Sequence, residues 1–417
     1  MFPNKHLKVL IAAYACRPNK GSEPGVGWNL CREVAKEREV WVITRSNNRS
    51  AIEAELEKNP IAKLHFIYCD LPGWFARWQP KSWELQPIYY LWQIGAYFTV
   101  RQLHQDVGFD VSHHVTYGRY CAPSFLAFLP IPFVWGPVGG GESAPHAFWR
   151  DFGFKGQIYE LLRNLTRSLG EVGFFVRRTA ANCTIAIAST AETATRLERL
   201  GVKRIEMVPG QTGINRSELL ELSQLRSTAS DRSIKFLSLG RLLHWKGFHL
   251  GLQAFARTDL PGAEYWIVGN GPQRQRLEKL AEELGISDRV RFLGEIPRKH
   301  ALSTLGECDI LVHPSLHDFS PTVCLEAMAA GKPVICLDLG GPAIQITAET
   351  GLKIKANNPQ QAIADLAQAM TRLATDAELR DRLGKAGQQR VSESYLWETK
   401  GEFLAKLYEE AIGSQSV

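Results

Sequence analysis

Asp318 and Glu326 stand eight residues apart in the stretch from His313 to Val334. Between them, Ser320 can cap a helix and Pro321 can take its first position, where a missing N–H costs nothing. Gly331 and Pro333 would end that helix and lead into an apolar strand over 334–337. A helix start at the end of a strand offers free N–H groups and partial positive charge, which suits a phosphate. One carboxylate just before the helix and one within it are acceptors for hydroxyl groups. Phosphate and polyol together point to a sugar nucleotide.

A second group lies upstream. Gly240, Arg241, Lys246 and Gly247 follow the strand expected at 234–239. Arg can hold phosphate oxygens bidentately and Lys can act as a point charge. A solvated basic turn is the plain alternative, and the Asp318/Glu326 segment weighs against it. Gly269 and Gly271 follow the strand at 265–268 and would let backbone approach a nucleotide. Two glycines after a strand are also ordinary turn chemistry, and the full dinucleotide fingerprint is absent.

The first half offers three further groups. Gly21, Gly25 and Gly27 read as a glycine-rich loop after the first strand, either approaching a ligand or lying free at the surface. His113 and His114 end the strand at 109–115. Side chains alternate along a strand, so one of the two faces the ligand side; the alternative for either is a hydrogen-bonded core histidine. Gly140 and Glu142 belong to another glycine-rich loop, where Glu142 is either a hydroxyl acceptor or solvated.

These groups need a frame. Strand-like segments at 7–12, 40–44, 64–68, 111–115, 133–135 and 184–188 alternate with helical ones. A second series runs 234–239, 265–268, 290–293, 310–312 and 334–337. This is the pattern of an α/β fold with parallel sheets covered on both faces. The 417 residues favour two such domains over one. The expected boundaries are 1–209 and 210–396, with a hinge at 209–215 and a last helix at 397–412 packing back on the first domain. Ligands of such sheets bind at the carboxyl ends of the strands.

Composition narrows the classes. Hydrophobic residues at 45% and charged residues at 22% are ordinary for a globular protein. A net charge of +6 suits an anionic substrate or lipid surface and is too weak to argue for nucleic acid. The eight cysteines have no metal-ligand or redox spacing, and read as thiols of a reducing cytosol. The first residues read as a strand, and the apolar run 88–100 is too short to span a bilayer, so a cytoplasmic protein is expected. Trp74 to Trp83 mixes three Trp with Arg77 and Lys81. That suits an anionic membrane interface, or aromatic packing between helices.

In this order, the elements resemble the retaining glycosyltransferases of family 4, which have the GT-B fold: two Rossmann-like, doubly wound domains facing across a cleft. The family's G-R-x4-K-G element is met by Gly240, Arg241, Lys246 and Gly247, and its E-x7-E pair by Asp318 and Glu326. The resemblance implies that Arg241 and Lys246 hold the donor diphosphate. Glu326 would bind ribose hydroxyls, and Asp318, standing where Glu is usual, the donor sugar. Phe319 and Ser320 would present backbone to phosphate or sugar. Gly25 and Gly27 would face the donor from the first domain, and His113, or His114 in its place, would contact the donor sugar. Gly340-Gly341-Pro342 fits the family too, although Ile344 stands where members often carry Glu.

The implied reaction moves a sugar from a UDP- or GDP-sugar to a hydroxyl of a carbohydrate or lipid-linked acceptor, with retention, in polysaccharide or glycolipid assembly. Such enzymes need no metal or cofactor, because cations and helix N-termini neutralise the leaving diphosphate. A lipid-linked acceptor would bring peripheral contact with the inner face of the cytoplasmic membrane. The rivals are a nucleotide-sugar epimerase of the same fold, a dinucleotide-dependent oxidoreductase and a non-catalytic sugar- or polyanion-binding protein. The spacing of Gly21, Gly25 and Gly27 is wrong for the oxidoreductase.

Overall fold

The computed structural model describes residues 7–71, 85–208, 210–225 and 233–414. The aromatic-basic segment Trp74 to Trp83 and Pro209 lie outside the described residues. The chain forms two compact units, one of residues 1–141, 165–211 and 397–417, the other of residues 142–164 and 212–396.

The first unit holds seven strands: β1 (Lys8–Ala12), β2 (Glu39–Thr44), β3 (Leu64–Tyr68), β4 (Val111–His114), β5 (Phe133–Val138), β6 (Ile185–Ala188) and β7 (Ile205–Met207). They lie in the order β3-β2-β1-β4-β5-β6-β7, and every pair is parallel. The second unit repeats the scheme with β8 (Lys235–Leu239), β9 (Glu264–Val268), β10 (Val290–Gly294), β11 (Ile310–His313), β12 (Val334–Leu337) and β13 (Gly351–Ile354). Their order is β10-β9-β8-β11-β12-β13. In each sheet the order reverses beside the first strand, between β1 and β4 and between β8 and β11. Chains leaving the sheet there diverge to opposite faces and open a crevice at the strands' carboxyl ends.

Apolar residues on both faces of a strand require two cores. Val9 and Ile11 enter one core of the first unit, Leu10 and Ala12 the other. Phe236 and Leu237 divide in the same way between the cores of the second. The two strands that sequence reading did not anticipate, β7 and β13, each end a sheet. They are partly exposed and carry Glu206 and Lys353, so they lack a full apolar run.

Two segments distant in sequence complete these cores. The helix Trp397–Gly413 packs Leu404, Leu407 and Tyr408 into the first unit. It approaches the helix Ser22–Ala35 closely: a Cβ on Gly401 would lie 2.7 Å from the Glu33 Cβ. Phe148 and Phe152 of the segment 142–164 pack into the second unit with Phe236 and Leu250. Truncating a buried ring such as Phe148 costs about 3–5 kcal/mol, so this segment is firmly held.

Candidate functional site

The loops after β8 and β9 lie against each other at the carboxyl end of the second sheet. Gly240 donates its N–H to the Val268 carbonyl at 2.9 Å, and Leu242 to that of Asn270 at 3.0 Å. Gly269 has φ +128°, and a Cβ there would sit 2.0 Å from the Gly240 carbonyl oxygen. Its lack of a side chain therefore admits the neighbouring loop, where sequence reading expected it to admit a nucleotide. Gly271 does the same against the Leu242 carbonyl oxygen, at 2.5 Å. Both still line a cavity of about 740 Å³, together with Gly240, Arg241, Asn270 and Glu295. Arg241 is exposed on its wall and is engaged by no other described side chain.

The loop after β8 is also tied to the loop after β11. Leu316 donates its N–H to the Trp245 carbonyl at 2.8 Å. Gly247 takes the left-handed conformation, φ +67°, and a Cβ there would lie 1.9 Å from the Pro314 carbonyl oxygen. Lys246 Nζ donates to Asp318 Oδ2. His313 Nε2 lies 3.3 Å from that same oxygen, without hydrogen-bond alignment. Burial alone would raise the Asp318 carboxyl, but the Lys246 ammonium and the neighbouring His313 hold it well below the usual carboxylate range. Gly340 and Gly341 press on this segment: Gly341 donates its N–H to the Asp318 carbonyl at 2.7 Å. A Cβ on Gly341 would meet the Phe319 carbonyl oxygen at 2.2 Å. A Cβ on Gly340 would meet the Glu142 Cγ at 3.3 Å, so Glu142 is buried beside the Asp318 loop rather than solvated.

Sequence reading missed the anchor of both loops. Glu160, on the helix Gly153–Val172, has a fully enclosed carboxylate. His317 Nε2 lies 3.1 Å and His244 Nε2 3.3 Å from its Oε1, and Arg163 Nη1 lies 3.6 Å from its Oε2. Burial pushes this carboxyl up, yet the two imidazole N–H groups outweigh it and hold it down at about 2. The carboxylate fixes the Nε2–H tautomer of both rings. Trp245 stacks on His317 at 5.1 Å and on Tyr159 at 5.0 Å, which completes the brace. Both histidines sit inside the two motifs; their partner lies at least 84 residues away and has no local signal.

The expected cap of the helix needs correction, and Glu326 has a partner that the sequence did not mark. The helix runs Thr322–Ala329 with Pro321 in the capping position, and no side chain caps it. The Ser320 hydroxyl instead accepts the Thr212 N–H at 3.2 Å and pairs with the Thr212 hydroxyl at 2.9 Å. Glu326 is buried, and its Oε1 lies 2.6 Å from Arg298 Nη1. Arg298 also reaches Glu218 Oε1 at 2.5 Å. Burial raises the Glu326 carboxyl and Arg298 offsets only part of that. Arg298, which no sequence motif marked, thus occupies the carboxylate assigned to ribose.

In the first unit, the expected glycine-rich loop is the start of the helix Ser22–Ala35. A Cβ on Gly25 would lie 2.0 Å from the Lys20 carbonyl oxygen, and one on Gly27 2.1 Å from that of Ala15. Both glycines therefore let the preceding loop fold onto the helix. His113 and His114 are both buried. His113 Nε2 donates to the Gly136 carbonyl at 2.5 Å, which leaves Nδ1 to accept from the Tyr408 hydroxyl at 2.7 Å. His114 Nδ1 lies 2.8 Å from the Ser124 hydroxyl and Nε2 2.8 Å from that of Tyr89. Burial lowers His113 to about 3 and His114 to about 4, so both rings are neutral. This is the hydrogen-bonded core alternative that the sequence left open. The Gly140 carbonyl accepts from Arg167 Nη2. Among the described residues, no three His, Cys, Asp or Glu side chains are grouped to hold a metal ion.

Residues 224–390 match the family model described as Glycosyl transferases group 1. Over 210 residues, 50% of this chain, the sequence is 33% identical to the lipopolysaccharide core biosynthesis glycosyltransferase LpsE of Rhizobium meliloti (strain 1021), covering 59% of that protein. Over 182 residues, 41% of this chain, it is 36% identical to the D-inositol 3-phosphate glycosyltransferase of Corynebacterium jeikeium (strain K411), covering 42% of that protein. The chain thus spans about half the length of the curated relatives it matches. Among solved structures, the sucrose-phosphate synthase of Thermosynechococcus elongatus superposes with a TM-score of 0.67 at 19% identity, over 98% of this chain and 100% of that one. Anabaena HepE, solved in complex with UDP and glucose, superposes at 0.59 with 18% identity, over 97% and 100%. At these identities the likeness establishes the fold, which is GT-B.

Proposed function

We propose, on the premise that residues 224–390 form a domain of the glycosyl transferases group 1 family, that this protein transfers a sugar from a nucleoside diphosphate sugar to a hydroxyl acceptor with retention of configuration. The observation that carries the reading is Arg241. It is an exposed guanidinium, engaged by no other described side chain, on the wall of a cavity at the carboxyl ends of β8 and β9. A cavity of about 740 Å³ is of the size that takes a small-molecule ligand.

The chemistry follows from charge. As the glycosidic bond breaks, negative charge builds on the diphosphate and positive charge on the sugar. Arg241 would hold phosphate oxygens, joined by Lys246 of the same loop. Asp318, kept ionised by Lys246, is an acceptor for donor-sugar hydroxyls. In a front-face reaction the leaving phosphate takes the acceptor proton, so no protein base and no metal is required. The UDP and glucose bound to HepE and the lipopolysaccharide role in the name of LpsE support a UDP-sugar donor and a polysaccharide or glycolipid acceptor.

Calorimetry with UDP and GDP tests the donor class, followed by turnover of the corresponding sugar nucleotides and proton NMR of the product's anomeric centre. Binding of neither nucleotide would overturn the reading. A product of inverted configuration would overturn retention, and an altered free sugar formed without acceptor would favour an epimerase.

A further inference from the structure

The helix Gly153–Val172 is amphipathic with its faces reversed. Phe154, Ile158, Leu161, Leu165, Leu169 and Val172 recur at spacings of three and four and so form one stripe along the helix. A stripe of this kind ordinarily turns into a core. Here every one of these residues is exposed, from 41% at Ile158 to 78% at Phe154. The opposite face is the buried one. It carries Gly156, which is buried, and Glu160 and Arg167, both engaged as described above. The stripe is roughly 27 Å long at 1.5 Å per residue, and the exposed ring of Phe174 extends it.

Charge identifies the occupant. Lys155, Arg177 and Arg178 are exposed on the same stretch. Its two acids do not compete with them: Glu160 is buried, and Glu171 is paired with Arg196 at 2.7 Å. Docking a second copy of this helix would gather two such sets of cations on one interface. An anionic lipid surface meets them with opposite charge. No described helix is long and apolar enough to cross a membrane. We infer that the helix Gly153–Val172 lies in the headgroup layer of an anionic bilayer, with its apolar stripe inserted and its flanking cations on lipid phosphates.

Co-sedimentation of the full chain with vesicles tests it. Wild type should bind mixed phosphatidylcholine–phosphatidylglycerol vesicles at least about tenfold more tightly than pure phosphatidylcholine, and salt should weaken the binding because exposed charges are screened. The variant Leu161→Gln, Leu165→Gln, Leu169→Gln should lose about tenfold or more, with an unchanged thermal melt because all three are exposed. Leu165→Gln alone should lose part of it and guards against a folding defect in the triple variant. Three outcomes would overturn the inference: wild type that ignores anionic vesicles, a triple variant that binds as wild type does, or concentration-dependent dimers that the triple variant abolishes. The last would assign the stripe to a second copy.

Discussion

The Lys246 ammonium is bonded to the Asp318 carboxylate, so the cation of one motif is already neutralised by the acid of the other. On the proposed reading, a diphosphate arriving at Lys246 would share it with Asp318. The pair would then couple nucleotide binding to the residue proposed to hold the sugar, and the two motifs would act as one site.

Asp318→Asn should therefore tighten binding of the bare nucleoside diphosphate, by about threefold to tenfold, because Lys246 is released toward the phosphates. The same variant should slow transfer from the full sugar donor. Calorimetry with the nucleotide and turnover of the donor separate the two effects. A weaker nucleotide would show that Asp318 helps to bind it.

Arg241→Ala should leave stability within about 0.5 kcal/mol, as is usual for an exposed side chain without partners. Loss of a charge-assisted contact worth about 1.5–3 kcal/mol should cut nucleoside diphosphate affinity by about tenfold to a hundredfold. Melting curves with and without nucleotide report both quantities. Unchanged affinity would remove Arg241 from the site.

Glu160→Ala leaves the N–H groups of His244 and His317 without their acceptor. Each buried donor left unmade costs about 1–3 kcal/mol, so the urea midpoint should fall clearly. Glu160→Gln keeps one acceptor oxygen and should fall less. Donor turnover should drop in both, since the loops carrying Lys246 and Asp318 lose their common brace. Full turnover in Glu160→Ala would reduce the residue to a packing role.

The two strand-end histidines predict an acid-labile first unit. Their folded values, about 3 for His113 and about 4 for His114, lie below the unfolded 6.5. Below pH 6.5 the unfolded chain therefore binds more protons than the folded one. The stabilisation is complete above 6.5 and is lost as pH falls toward the folded values, at about 1.4 kcal/mol per pH unit for each ring. His114→Gln should make the fall of melting temperature with acid measurably less steep. An equally steep fall in that variant would place the sensitivity elsewhere.

Much of the frame was legible because parallel strands buried on both faces must be apolar throughout, as in 185–188 and 334–337. The motif loops were legible from glycines and cations directly after strands. What escaped were relationships between distant positions. Nothing near Glu160 indicates that it will meet His244 and His317, and nothing near Arg298 indicates Glu326. Gly25 and Gly27 misled because glycine signals close backbone approach without naming what approaches. Ser320 misled because a hydroxyl near a helix start caps it only if no nearer partner competes, and Thr212 does.

The family match begins at residue 224, yet the carboxylate that braces the motif loops comes from residue 160. The stretch that matches the family is therefore not a transplantable module by itself. A chimaera cut at the family boundary would graft His244 and His317 without their counter-ion, and Phe236 without the Phe148 and Phe152 rings packed around it. Recombination between relatives has to exchange 142–164 together with 212–396 or inherit a broken joint. That constraint ties the history of one stretch in the first half of the gene to loops it never adjoins in sequence.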